Sequence, residues 1–212
     1  MPGAYCLLGV ELSAGGSLRW WRDLTGMSYD KLVAEAERVP PGSEGLVFLP
    51  YLTGERTPHL DPRASAAFVG LTARHARAHM TRAVMEGVLF GLRDGLEIMR
   101  GLGVDPSEVR ATGGGASVPL WLRLQADVYG LPVHRPVVEH GAAYGAALLG
   151  HLAAGTFGDI DQATSLVRTS DEVIEPDPRA ARIYDQTYEV YRSLYPALEA
   201  PSHGLSELTE AE

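Results

Sequence analysis

Apolar residues along this chain alternate between two spacings. Short unbroken apolar runs at residues 5–10 and 46–49 are bounded by turn formers (Gly3 and Ser13 around the first, Pro50 after the second) and predict buried strands. Shorter runs at 67–71, 109–112 and 133–135 predict three more. Between them the apolar positions recur every three to four residues. Ser13 caps a helix running through Leu18, Trp21 and Leu24 to Gly26, and a second helix covers 29–38 before Pro40-Pro41. The longest helix spans 77–102, where Met80, Val84, Val88, Leu92 and Leu96 repeat every fourth residue. Helices over 119–129 and 141–154 and an amphipathic helix over 179–198 complete the series.

On the long helix a neighbouring stripe carries Ala83, Gly87, Gly91 and Gly95. Three helical glycines cost about 1 kcal/mol each against alanine, so the pattern predicts close backbone approach of another element as the offsetting gain. Residues 51–62 are rich in turn formers and charges and predict a surface loop with anchored ends. The alternation of strands and helices assigns the α/β class. One domain over 1–198 is expected, followed by an acidic, flexible tail over 199–212.

With 212 residues, 45% of them hydrophobic, the chain can bury a sizeable core. Eighteen basic against 27 acidic side chains leave a formal charge of −9, which offers no field for a nucleic-acid backbone, so no nucleic-acid partner is expected. Cys6 is the sole cysteine and fits a reducing compartment. No apolar run approaches the roughly 18 residues of a membrane span, and Met1-Pro2-Gly3 opens no signal peptide. A cytoplasmic protein without a membrane partner is expected.

Thr112-Gly113-Gly114-Gly115-Ala116-Ser117 joins a predicted strand to a helix beginning at Pro119. Such a junction can present backbone N–H groups and a positive helix end to an anion; it can equally be a tight turn. Gly141-Ala142-Ala143-Tyr144-Gly145-Ala146-Ala147 is a helix start of small residues, which suits close packing, with Glu139 or His140 available as a cap or a ribose contact. In Gly54-Glu55-Arg56-Thr57-Pro58-His59, a loop-fixing Glu55–Arg56 ion pair competes with an acid/base role. The histidines at 75, 79, 134, 151 and 203 share no metal-ligand spacing, and Trp20, Trp21 and Trp121 fall at core positions of helices.

Together these segments resemble the FGGY family of carbohydrate kinases. The resemblance is carried by Ala66-Ala67-Phe68-Val69-Gly70-Leu71, then seven residues, then His79-Met80-Thr81-Arg82-Ala83-Val84-Met85-Glu86. Within the family, Leu49-Pro50-Tyr51-Leu52-Thr53-Gly54-Glu55-Arg56-Thr57-Pro58-His59 and Gly113-Gly114-Gly115-Ala116 before Pro119-Leu120-Trp121 look like the xylulokinase version. The resemblance implies a ribonuclease-H-like domain of the actin-like ATPase fold, the nucleotide-binding C-terminal half of a kinase that uses ATP and Mg2+ to phosphorylate a sugar. Xylulose comes first, then ribulose, gluconate or glycerol. A non-catalytic nucleotide-binding or interaction module is the competing reading.

By the same resemblance Gly15, Leu18 and Arg19 border adenine and ribose, Gly114 and Gly115 face the nucleotide, and Pro119 stands where glycerol kinases carry an adenine-binding asparagine. Ser117-Val118 departs from the basic residue and serine of many xylulokinases. The resemblance places the catalytic aspartate and the main sugar contacts in the other half and most phosphate contacts ahead of this chain, so no catalytic residue is assigned and the isolated chain is expected to be inactive. The first two strands of the domain's sheet are expected to be missing, leaving an open edge. The expected partners are ATP, a sugar held by the other domain, and a complementary kinase half or a second copy.

Overall fold

The computed structural model describes residues 6–137 and 141–210. Helices α1 (Ala14–Thr25) and α2 (Tyr29–Ala36) lead into strand β1 (Val47–Leu49), which pairs antiparallel with β2 (Ala67–Val69) in the register Phe48 to Phe68. Helix α3 (Arg77–Gly101) follows, then β3 (Val109–Arg110), α4 (Pro119–Tyr129), β4 (Val133–Pro136), α5 (Gly141–Ala153), α6 (Ile160–Thr164), β5 (Thr169–Ile174) and α7 (Pro178–Glu210). Strands β3 and β4 run parallel, and β5 adds antiparallel to β4. Gly26, in the left-handed conformation (φ 65), ends α1 as expected. No helix of the described residues is long and apolar enough to cross a membrane.

The glycine stripe of α3 has the predicted cause at its first position. A Cβ on Gly87 would lie 2.1 Å from the carbonyl oxygen of Phe48, so only glycine lets β1 lie against the helix. Around this contact Phe48, Leu49, Val84, Met85, Leu89 and Phe90 are all buried.

At the same level α3 carries a buried ion pair. Arg82 Nε donates to Glu86 Oε1 at 2.7 Å, one turn away. Tyr184 of α7 closes a triangle: its hydroxyl accepts from Arg82 (2.6 Å) and donates to Glu86 (2.8 Å). Glu86 also accepts from Ser43 Oγ (2.8 Å) and from the N–H of Gly42 (3.1 Å). Ser43 and Glu44 are non-glycine residues at φ 48 and 55. That conformation costs roughly 1–2 kcal/mol per residue, and the buried carboxylate holds it in place.

Two expectations are corrected. The described part of the 5–10 strand is not a strand, and Leu8 is 80% exposed. A strand needs a neighbouring ladder, and Val10 instead meets the loop, its C=O accepting from the Thr57 N–H and its N–H donating to Thr57 Oγ1. The expected tail from 199 is helical through Glu210, and α7 passes through Pro196 and Pro201. Its polar composition signals fraying, but tertiary contacts override it. His203 Nε2 meets Asp61 at 2.8 Å, Arg63 donates to His203 Nδ1, and Ser65 donates to Ser202. Burial pushes the Asp61 carboxyl up, yet hydrogen bonds from His203, the Arg63 N–H and Tyr195 outweigh it and leave Asp61 below its ordinary range.

In the described three-stranded sheet β3 is an outer strand. The N–H groups of Val109 and Ala111 donate to Pro132 and His134 beside β4, so the intervening Arg110 turns its backbone groups the other way. That side faces a cavity of about 270 Å³ lined by Gly9, Glu11, Gly91, Gly95 and Ala111 among others. Both Glu11 carboxylate oxygens are buried there without a hydrogen-bond partner. Burial, followed by the nearby charges of Glu55 and Asp94, pushes the Glu11 carboxyl well above the ordinary range.

Two predictions follow from these buried acids. Arg82→Met strands the Glu86 carboxylate and is expected to lower unfolding free energy by about 3–5 kcal/mol in urea titrations; Arg82→Met with Glu86→Gln should regain at least half, and no recovery would show that charge is not the cause. Glu11 has a folded pKa above its unfolded one, so its protonated form is favoured on folding and its share of stability is lost as pH rises. Glu11→Gln should therefore match the parent near pH 4 and melt higher at pH 8; equal melting temperatures at pH 8 would contradict the assigned environment.

Candidate functional site

The Ala111 N–H donates to the His134 C=O at 2.9 Å, pinning the chain as it leaves β3. Gly113 (φ 78, ψ −170) then turns it into a single 3-10 turn, Gly114–Ser117, closed by Ser117 Oγ donating to the Gly114 C=O at 2.8 Å. Helix α4 starts at Pro119 behind Val118, a cap residue with no side-chain oxygen. Pro119 lacks an N–H, and Leu120 and Trp121 receive no side-chain cap, so the positive end of α4 keeps unneutralised donors.

The three glycines of this turn differ in their physical requirement. Gly113 needs its positive φ. Gly115 is a packing glycine, since a Cβ there would sit 3.0 Å from the Trp121 ring. Gly114 is exposed, has no positive φ and would meet nothing within 4 Å if it carried a Cβ. Neither strain nor packing accounts for a glycine at 114.

On α1, Gly15 and Arg19 are exposed and Leu18 is half-buried. Ala14 and Leu18 pack against the same hydrophobic cluster as Val118, Leu120 and Trp121, so α1 and the glycine turn are anchored on one core. The cavity that Pro119 lines, about 290 Å³, lies toward β4 and β5, with Ser117, Arg123, Arg135 and Glu172 in its wall. Gly15, Leu18, Arg19, Gly114 and Gly115 do not line it. Among the described residues no group of three or more His, Cys, Asp or Glu side chains is arranged to hold a metal ion.

The start of α5 abuts the turn: a Cβ on Gly141 would lie 3.5 Å from Thr112 Cγ2. Ala142, Ala143, Ala146 and Ala147 are exposed, so the described residues do not pack against its small-residue face. Glu139 and His140 lie outside the described residues.

The loop after β1 corrects a further expectation. Glu55 is turned inward, its Oε1 accepting from the N–H groups of Leu12 (3.2 Å) and Arg56 (2.6 Å), while the Arg56 side chain is exposed. The backbone N–H groups of a loop supply a nearer and cheaper partner than a solvated guanidinium. Burial raises the Glu55 carboxyl above its ordinary value, with these bonds opposing it. His59 stacks on Tyr195 (ring centroids 3.6 Å apart), and burial lowers its pKa.

A cavity that no motif foreshadows opens between this loop, α3 and α7, about 320 Å³ in volume. Tyr188, Tyr191 and Tyr195 enter it at helical spacing from α7, and that periodicity was the available signal. Asp94 faces them from α3, where burial raises its carboxyl to about 6 against the hydrogen bond from Tyr188.

Residues 7–154 match the family model for the C-terminal domain of the FGGY family of carbohydrate kinases. A xylulose kinase of Lactococcus lactis is 36% identical across 99% of this chain and 43% of its own length. A solved xylulose kinase of Lactobacillus acidophilus superposes with a TM-score of 0.84 at 30% identity, covering 90% of this chain and 39% of that one. A gluconate kinase of the same organism superposes with a TM-score of 0.82 at 29% identity, again over 90% and 39%. The chain thus spans about two fifths of the length of these relatives. These sugar kinases have the actin-like ATPase fold, and the mixed α/β architecture seen here is that of their C-terminal part. The chain belongs to the FGGY family of carbohydrate kinases and corresponds to that family's C-terminal domain.

Proposed function

We propose that this chain is the nucleotide-binding half of an ATP-dependent sugar kinase, with D-xylulose as the acceptor. The observation that carries the reading is the position of Gly114: a glycine that neither conformation nor packing requires, set before an uncapped helix N-terminus. An anionic, flat-sided ligand explains both features: donors at the end of α4 suit phosphate oxygens, and a missing Cβ lets the nucleotide lie against the backbone. Gly115 shapes the turn, and Gly15, Leu18, Arg19 and Pro119 are the residues assigned to adenosine. Magnesium arrives with the nucleotide as part of the substrate Mg-ATP.

Xylulose is favoured over gluconate and glycerol by xylulose kinases that are 36% identical to this chain. Phosphoryl transfer requires the acceptor, a base and the phosphate grip to be assembled at once. The sugar contacts and the catalytic base are assigned to the portion of the relatives that this chain does not match. That portion also supplies the sheet strands expected to lie against the β3 edge, completing a ribonuclease-H-like domain.

The isolated chain is expected to show no xylulose-dependent ATP consumption. Grafted in place of the matched segment of the Lactococcus lactis xylulose kinase, it should support turnover, faster with D-xylulose than with gluconate or glycerol. In that chimera Gly114→Val is expected to raise the KM for ATP about tenfold without lowering the melting temperature, because the added methyls enter open space. An unchanged KM for ATP would remove Gly114 from the nucleotide site.

A further inference from the structure

The cavity between the 51–62 loop, α3 and α7 plays no part in the nucleotide reading, yet its polar groups converge with capacity left over. Its floor is made by Tyr51, Tyr188, Tyr191 and Asp94, all buried and drawn from three separate elements. The Tyr51 hydroxyl lies 3.0 Å from that of Tyr191 and 3.1 Å from His59 Nε2. Tyr188 donates to Asp94 Oδ1 at 2.6 Å. The second oxygen of Asp94 takes no hydrogen bond from the described residues and is not among the sealed-off atoms, so it opens to the cavity.

Two charged groups at the mouth are in different states. Glu97 is committed, paired with Arg100 at 2.7 Å and Arg93 at 3.5 Å. Arg192 makes no salt bridge among the described residues; its Cζ lies 5.9 Å from the centre of the Tyr188 ring. The cavity therefore offers an uncommitted carboxylate oxygen, uncommitted guanidinium donors, and between them tyrosine hydroxyls and an imidazole whose pKa burial lowers.

This donor set selects its ligand by chemistry. An anion faces Asp94 and Glu97, and a simple cation faces Arg192. Neutral groups outnumber the uncommitted charged ones, which favours a ligand without net charge whose groups both donate and accept. Adjacent hydroxyls meet that requirement: one pair donates to the carboxylate, another accepts from the guanidinium, and the carbon skeleton lies against tyrosine rings. A volume near the lower end for ligand pockets suits a molecule of about five or six carbons. We infer that this cavity is a binding site for a small uncharged polyol, a sugar or sugar alcohol, independent of the glycine turn.

The test uses the full chain without nucleotide, so its outcome leaves the kinase reading untouched. Xylitol is titrated by saturation-transfer NMR, with glycine and ethanolamine as zwitterionic and cationic controls. Xylitol is expected to bind in the millimolar range and ahead of both controls. Asp94→Asn keeps an acceptor for Tyr188 but loses the charge, and should weaken xylitol binding about tenfold. Arg192→Ala, on an exposed residue that does not risk the fold, should weaken it severalfold with an unchanged melting temperature. Absence of xylitol binding, equal binding by the Arg192→Ala chain, or preference for glycine or ethanolamine overturns the assignment.

Discussion

A charged pair sealed inside the molecule holds the architecture in register. Arg82 and Glu86 sit one turn apart on α3 and are almost fully buried, at 6% and 2% side-chain exposure. Removing two charges from water is expensive, and the cost is offset only when each remaining donor and acceptor finds a partner. Here the partners come from distant parts of the chain: Tyr184 from α7, Ser43 and Gly42 from the turn before β1. The polar requirement of one helix turn thus dictates where two other segments lie, including a turn with two left-handed non-glycine residues.

That arrangement also positions the candidate nucleotide site. With α3 tied to α7 and β1 laid against Gly87, the cluster containing Leu49, Leu89 and Leu124 has a defined surface. Both α1 and the start of α4 rest on it. Gly113 and Gly115 give the turn its shape, and Gly114 is left with space in front of it. The tyrosine-lined cavity shares this scaffold, because Tyr184 and Tyr188, one turn apart on α7, bind that helix to Glu86 and Asp94 of α3.

Much of this was legible along the chain. The 3.6-residue periodicity located α1, α3 and α4 closely, since a stripe of apolar side chains has one economical way to be buried. Gly26 and Pro119 marked helix ends through backbone chemistry that is local. The stripe of Gly87, Gly91 and Gly95 announced close approach, and at Gly87 the carbonyl of Phe48 supplies it. The 133–135 strand appeared, but its antiparallel neighbour β5 was not anticipated, because Thr169-Ser170-Asp171-Glu172 lacks the apolar signature of a strand.

By itself the amino-acid sequence determined the α/β class, the long glycine-striped helix and the glycine turn, because each rests on short-range spacing or backbone restriction; the family was legible through motif resemblance. Tertiary structure alone decided three things: that residues 6–11 form no strand, that Glu55 turns inward to backbone amides, and that helix α7 continues past Pro196 and Pro201 to grip Asp61 through His203. Each turns on which groups meet across many residues of chain. Burial and hydrogen-bond partnership are set by those meetings, and no local pattern encodes them.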